Sequence, residues 1–255
     1  MKKPEIIHYC WFGGGEFSES IKQCIASWHK YFPNYKFICW NENNFDVENN
    51  VFIAQALACK QYAFASDAVR VQKLYEMGGT YFDTDLEVLA GMRELIESND
   101  NVLGFETSRQ VGTAIMSFVP KHPLIKDFCN HYNKPFIVKG QQNINANVSA
   151  LTKNLLRQGL ILNRNTQKVS DIMIFKREIF FPKRKKGEFC CTSETVAIHR
   201  CTNSWMSERQ RKRGNSRIWI KFFRPMLCLG RNALSHVLGE PRTENLEIWF
   251  RNKLR

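Results

Sequence analysis

The sequence predicts an α/β protein built on a largely parallel sheet with helices on both faces. Three observations carry that expectation. Short apolar runs of strand length alternate with longer segments whose apolar residues recur at helical spacing. Glycines and a proline stand where one kind of segment gives way to the other. Finally, 255 residues that are 44% hydrophobic and 13% aromatic suffice for one large core and exclude a disordered chain.

Ile6 to Phe12 is an apolar first strand, and Gly13-Gly14-Gly15 form the loop that ends it. A helix runs from about Ser20 to Phe32, because Ile21, Cys24, Ile25, Trp28 and Phe32 share one face and Pro33 stops it. Tyr35 to Trp40 is a second strand, followed by a polar loop of Asn and Glu. Helical spacing resumes near Val51, and a longer helix covers about Ala63 to Met77. Gly78-Gly79 ends it, since glycine tolerates the left-handed conformation favoured past a helix C-terminus. Thr80-Tyr81-Phe82 is then a short strand leading directly into Asp83-Thr84-Asp85, with Val102 to Glu106 and Ala114 to Val119 as further strands. Ligands of such sheets bind beyond the carboxyl ends of the strands, where the Gly13 and Asp83 loops both lie.

A formal net charge of +13 calls for an acidic partner: nucleic acid, anionic lipid or a phosphorylated substrate. The charge is unevenly spread. After Met206 the tail holds twelve Lys/Arg against four Glu, which divides the chain into residues 1–205 and a basic segment, 206–255. Arg213, Arg217, Lys221 and Arg224 fall on one helical face of this tail, with Trp219, Phe222, Phe223 and Met226 opposite. Such a helix suits an anionic membrane surface, or equally an apolar face packed on the preceding domain, and Pro225 would kink or end it. The nine cysteines include no Cys-x-x-Cys pair and read as thiols of a reducing compartment. Pro4, Glu5 and His8 interrupt any signal-peptide core, and no window approaches a membrane span. The expected location is therefore cytoplasmic, or peripheral at the cytoplasmic face of the membrane.

The chemistry concentrates around residue 83. Two carboxylates separated by one residue at a strand end, Asp83 and Asp85, can address one hard divalent cation, which would neutralise a sugar nucleotide's diphosphate. A lone Asp-x-Asp is weak evidence, since most are surface turns; the helix, glycine cap and apolar strand before it strengthen the signal. Asp67 and Arg70 lie three apart on the preceding helix and share a face. That spacing fits an ordinary surface ion pair, or a pair in which Asp67 accepts from sugar hydroxyls while Arg70 holds a phosphate.

Four stretches in this order, Ile6-Ile7-His8-Tyr9-Cys10-Trp11-Phe12-Gly13, Ser66-Asp67-Ala68-Val69-Arg70, Gly78-Gly79-Thr80-Tyr81-Phe82-Asp83-Thr84-Asp85 and His199 with Ser204-Trp205, resemble glycosyltransferase family 32. That family includes fungal Golgi α-mannosyltransferases and bacterial capsule or lipopolysaccharide sugar transferases. It is distantly similar to the glucosylating domains of large clostridial toxins. The resemblance covers roughly residues 4–205 and implies a GT-A fold and a retaining transfer from a UDP- or GDP-linked sugar to a glycan or lipid-linked acceptor. It implies that Asp83, Asp85 and His199 hold Mn²⁺ (or Mg²⁺), and that Asp67 and Arg70 contact donor sugar and phosphate. It further implies that Trp11 and Gly13 border the nucleotide and that Ser204 and Trp205 close over the diphosphate. The segment Asn145 to Thr152 lacks the Gly-Pro pair common in the family, and Arg200-Cys201 is an unusual continuation of the histidine. A double displacement would need a carboxylate nucleophile, for which Glu106 is the candidate; front-face attack needs none. The rival readings are a sugar-nucleotide hydrolase, a protein-modifying glycosyltransferase and, more remotely, a basic nucleic-acid-binding protein, which leaves the Asp83 stretch unexplained.

Overall fold

The computed structural model describes residues 2–138, 141–142, 147–185 and 188–201. In chain order its elements are β1 (Ile6–Cys10), α1 (Glu19–Tyr31), β2 (Lys36–Trp40), α2 (Val51–Ala58), α3 (Tyr62–Met77), β3 (Gly79–Phe82), β4 (Leu86–Val88) and α4 (Met92–Glu97). They continue with β5 (Asn101–Gly104), β6 (Ile115–Phe118), α5 (Pro123–His131), β7 (Ile137–Val138), β8 (Gln141–Gln142), α6 (Asn147–Arg157), β9 (Gln167–Val169) and β10 (Ile172–Phe175). The last are α7 (Arg177–Phe180), β11 (Arg184–Lys185), β12 (Glu188–Phe189) and β13 (Ala197–His199). Two compact units result, Met1–Phe136 with Asn145–Cys201, and Ile137–Ile144 with Thr202–Arg255. Of the second, the antiparallel pair β7–β8 is described. The expected boundary at 205/206, the tail helix, Ser204 and Trp205 all lie outside the described residues.

The first unit is the expected α/β architecture. Its seven-stranded sheet has the order β2-β1-β3-β6-β5-β10-β9. β1 runs parallel to β2 and β3, and β10 parallel to β5, whereas β6 runs against both β3 and β5. Each strand offers alternate side chains to two cores, as the pleat requires. Ile7, Phe82, Val102 and Ile115 point to one side and pack with Trp28 of α1, Met92 and Ile96 of α4 and Phe180 of α7. Tyr81, Leu103, Met116 and Ile174 point to the other, against α2, α3, α5 and α6.

Local chemistry explains where the helices begin and end. Ser18 caps α1 by accepting from the Ile21 N–H at 3.4 Å, so the helix starts one residue before the expected Ser20. Asn50 caps α2 by accepting from the N–H groups of Phe52 and Ile53. α3 ends on Gly78, whose φ of +69° and ψ of −164° suit glycine alone, and a Cβ there would stand 2.6 Å from the Pro120 nitrogen. That sharp stop turns the chain from α3 straight into β3, which delivers Asp83 to the sheet edge. No helix among the described residues is long and apolar enough to cross a membrane.

Candidate active site

The parallel register of β1 with β3, Ile7 opposite Thr80 and His8 opposite Tyr81, brings the Trp11–Gly15 loop and the Asp83–Asp85 loop to the same carboxyl edge. Asp83 leaves β3 with its N–H donating to the Ala114 carbonyl at 2.9 Å, and its own carbonyl accepts from Leu86 N–H at 2.9 Å. The turn so formed aims both carboxylates off the edge. α1 pins the start of β4: the Trp28 indole N–H donates to the Leu86 carbonyl at 2.6 Å, and Ser27 Oγ accepts from the Val88 N–H at 2.9 Å. β4 is thereby held for β13, whose antiparallel register sets His199 opposite Leu86.

That pairing brings His199 beside Asp83 and Asp85, the residues the resemblance expects to share a cation. His199 Nε2 lies 3.0 Å from Asp85 Oδ1 and 3.9 Å from Asp83 Oδ2. One donor atom from each of the three residues falls within 4.8 Å of the others, a spacing at which two carboxylates and an imidazole can share one cation after small side-chain rotations. The donor set, two oxygens and one nitrogen, suits a divalent cation. Burial opposes charge on His199, but its hydrogen bonds with Asp85 and Cys201 outweigh burial and hold the imidazole well above its ordinary range. A cation bound by these donors would take the place of that proton.

Arg70 is no surface residue. It is 4% exposed, and this overturns the surface ion-pair reading of Asp67 and Arg70. Its guanidinium donates to the Thr113 carbonyl and to Asp83 Oδ1, both at 2.7 Å, and meets Asp67 Oδ1 at 3.1 Å. It also sits over the Tyr81 ring, 4.3 Å from the centroid, and donates to the Tyr81 hydroxyl at 3.4 Å. One fork therefore joins a residue of α3, a carboxylate of the Asp-x-Asp pair and the loop before β6. Burial pushes the Asp67 carboxyl up to about 7, Arg70 pulls the other way and Asp83 adds to the rise. Asp83 thus anchors Arg70 as well as facing the cation cluster, so it does more for the fold than an exposed strand-end carboxylate would.

The remaining sequence candidates divide. Trp11 is half-buried at the end of β1, its ring 4.7 Å from Phe17 and its N–H donating to the Gly15 carbonyl at 2.5 Å. The Gly13 N–H donates to Glu42 Oε1 at 2.6 Å, and a Cβ at Gly13 would stand 2.6 Å from the Tyr62 ring. Both therefore shape the loop at this edge. Glu106, just past β5, is close enough for His199, Asp83, Arg177 and Arg70 to act on its carboxyl, which burial raises above the usual range. Tyr81, Thr113, Asn147 and Tyr132 escape a reading of the sequence. Asn147, which opens α6, lies close enough to lower the Asp67 carboxyl, and Tyr132 lies within the field of Asp67 and Arg70. Arg70 Nε and the Tyr132 hydroxyl are buried without a hydrogen-bond partner among the described residues, polar groups that a water or a sugar hydroxyl would satisfy. The unusual Arg200 donates to Glu87 at 2.6 Å, and its N–H donates to the Asp85 carbonyl at 3.0 Å, which ties β13 to the Asp-x-Asp loop.

Parts of the chain are similar to known proteins. Residues 18–104 match the family described as glycosyltransferase sugar-binding region containing DXD motif, a stretch that includes Asp67, Arg70, Asp83 and Asp85. Lactosylceramide 4-alpha-galactosyltransferase of Rattus norvegicus is 39% identical over 72 residues, 27% of this chain and 19% of that protein. Alpha-1,4-N-acetylglucosaminyltransferase of Homo sapiens is 29% identical over 124 residues, 47% of this chain and 33% of that protein. The chain thus spans about a fifth to a third of the length of these relatives. Among solved structures, the PaToxG glycosyltransferase aligns with a TM-score of 0.47 at 17% identity over 62% of this chain and 70% of its own. A glycosyltransferase involved in glycosylating the major capsid of PBCV-1 aligns with a TM-score of 0.41 at 11% identity, over 82% and 98%.

Proposed function

We propose that this protein is a divalent-metal-dependent glycosyltransferase of family 32 that moves a sugar from a UDP- or GDP-linked donor to a glycan or glycolipid acceptor. The observation that carries the proposal is the convergence of Asp83, Asp85 and His199 beside the buried Arg70–Asp67 pair. Asp83, Asp85 and His199 would hold Mn²⁺ (or Mg²⁺), whose charge would stabilise the diphosphate leaving group. Arg70 holds Asp67 and Asp83 together, and Asp67 would accept hydrogen bonds from donor hydroxyls. Trp11 and the Gly13 loop form the neighbouring wall, suited to a nucleoside.

A glycolipid acceptor draws support from the name of the galactosyltransferase relative and from the basic tail. A role in capsular or lipopolysaccharide assembly, on the cytoplasmic side with the tail at the membrane, comes from the sequence reading and belongs to the same proposal. Retention of the donor's configuration is expected by front-face attack. The raised Glu106 carboxyl costs energy to ionise, which disfavours it as the nucleophile of a double displacement.

The test is a panel of nucleotide sugars incubated with the protein and Mn²⁺, with released nucleotide and sugar measured. Turnover of one UDP- or GDP-sugar, stopped by EDTA and restored by Mn²⁺, is expected. No turnover of any donor, with or without metal, would overturn the reading.

A further inference from the structure

We propose that Cys201 is a positioning residue for the candidate metal centre, its sulfur holding His199 in the tautomer that turns an Nε2 lone pair toward Asp83 and Asp85. The inference deepens the metal-dependent reading above and rests on it. Cys201 Sγ lies 3.4 Å from His199 Nδ1 and 3.6 Å from the His199 carbonyl oxygen. The second contact fixes the sense of the first. A carbonyl only accepts, so the S–H donates to it, and the sulfur then offers Nδ1 a lone pair. Nδ1 accordingly carries a proton, and when a cation displaces the proton that Nε2 shares with Asp85, the lone pair falls on Nε2, the atom that faces the two aspartates.

The backbone is shaped for this contact. In a continuing strand residue 201 would share the His199 face about 6.6 Å further along. Instead Cys201 has a φ of +49°, in the left-handed region, which costs a non-glycine residue about 1 kcal/mol and folds the thiol back over the ring. The preceding residue is fastened through both backbone and side chain, by the Arg200 N–H on the Asp85 carbonyl and by the Arg200–Glu87 pair, so the turn starts from a fixed point. The Phe181 ring meets the imidazole edge-on at 5.8 Å and limits its plane, but an aromatic wall cannot choose between nitrogens. The thiol can. Metal-bound histidines ordinarily tie their second nitrogen to a carboxylate, a carbonyl or water, and loss of that partner typically weakens metal binding by about 10- to 100-fold. Here a thiol occupies that role, which gives a reason for the unusual Cys two residues after the histidine.

The experiment measures Mn²⁺ affinity directly, from the electron paramagnetic resonance signal of unbound Mn²⁺, in the full-length wild type and in C201A, C201S, H199A and the double variant. The expected result is a loss of affinity of about tenfold or more in C201A, with partial rescue in C201S because a hydroxyl can also accept from Nδ1. In the H199A background C201A should change nothing further, since the effect passes through the ring. Melting temperatures of metal-free wild type and C201A should agree, as the thiol is exposed. Wild type that binds no Mn²⁺ would overturn the metal reading and this inference with it. Wild type that binds, with C201A equal to it, would overturn the inference alone, as would an equal loss from C201A in the presence and absence of His199.

Discussion

Replacing Arg70 by lysine keeps the positive charge and removes the fork, so it isolates what the guanidinium geometry does. Arg70 reaches three oxygens at 2.7, 2.7 and 3.1 Å: the Thr113 carbonyl, Asp83 and Asp67. An ammonium is a compact centre on a shorter reach and cannot meet a carbonyl on one side and two carboxylates on the other. At least one charge-assisted bond is lost, worth about 1.5–3 kcal/mol, together with about 0.5–1 kcal/mol of contact with the Tyr81 ring. The lysine still neutralises part of the Asp67–Asp83 repulsion, so a net destabilisation of about 2–4 kcal/mol is expected in urea unfolding. Misplacement of Asp83 should lower kcat/KM for donor hydrolysis about 10- to 100-fold, each tenfold being about 1.4 kcal/mol. Arg70→Met, which strands both carboxylates in a buried site, should cost more, about 3–5 kcal/mol. An Arg70→Lys protein within about 0.5 kcal/mol of wild type and with unchanged kinetics would show that charge alone is enough and the fork geometry does nothing.

Two further predictions concern the frame that carries the site. His8 is fully buried, its ring bonded to the Gly78 carbonyl at 2.8 Å and to the Trp40 indole N–H at 3.2 Å; burial lowers it from 6.5 to about 4. Because the fold favours the neutral ring, its contribution is complete above about pH 6.5 and is lost as pH falls toward about 4, a loss of about 3 kcal/mol. Urea unfolding across that window should show the slope in wild type and a flatter one in His8→Gln; equal slopes would exclude His8 as the cause. Gly78→Ala should destabilise by about 3 kcal/mol or more in the same assay, since its Cβ would stand 2.6 Å from the Pro120 nitrogen at a φ of +69°. A loss under about 1 kcal/mol would mean that α3 and the Pro120 turn separate easily.

The fold was legible wherever pattern is local. The strands before Gly13 and Asp83, the faces of α1 and α3 and the glycine stop between α3 and β3 all arise from apolar spacing and backbone preference within a few residues. The direction of β6 is not local: it runs against β3 and β5 because of how the chain returns, and nothing in Ile115–Phe118 records that. The site divides along the same line. Asp83 and Asp85 declare themselves by their spacing at a strand end, whereas His199 reaches them through β13–β4 pairing with Leu86, more than a hundred residues away in the chain. The burial of Arg70 was hidden for a similar reason. Its partners Tyr81, in β3, and Thr113, in the loop before β6, are brought together by the sheet, while i,i+3 spacing with Asp67 alone describes a surface pair equally well. Asn147 and Tyr132 carry no signal of their own, since each matters only through where α6 and α5 set it.

The central claim is that Asp83, Asp85 and His199 act together on one divalent cation during nucleotide-sugar turnover. The most direct measurement is the Mn²⁺ dependence of donor hydrolysis in wild type, Asp85→Asn and His199→Ala, taken on the donor the panel identifies. Asp85→Asn and His199→Ala leave the Arg70–Asp83 bond in place, so both should stay folded by circular dichroism. Half-maximal Mn²⁺ should shift to about tenfold or higher concentration in each, with turnover at saturating Mn²⁺ reduced about a hundredfold or more in Asp85→Asn. Folded variants with the Mn²⁺ dependence and turnover of wild type would contradict it.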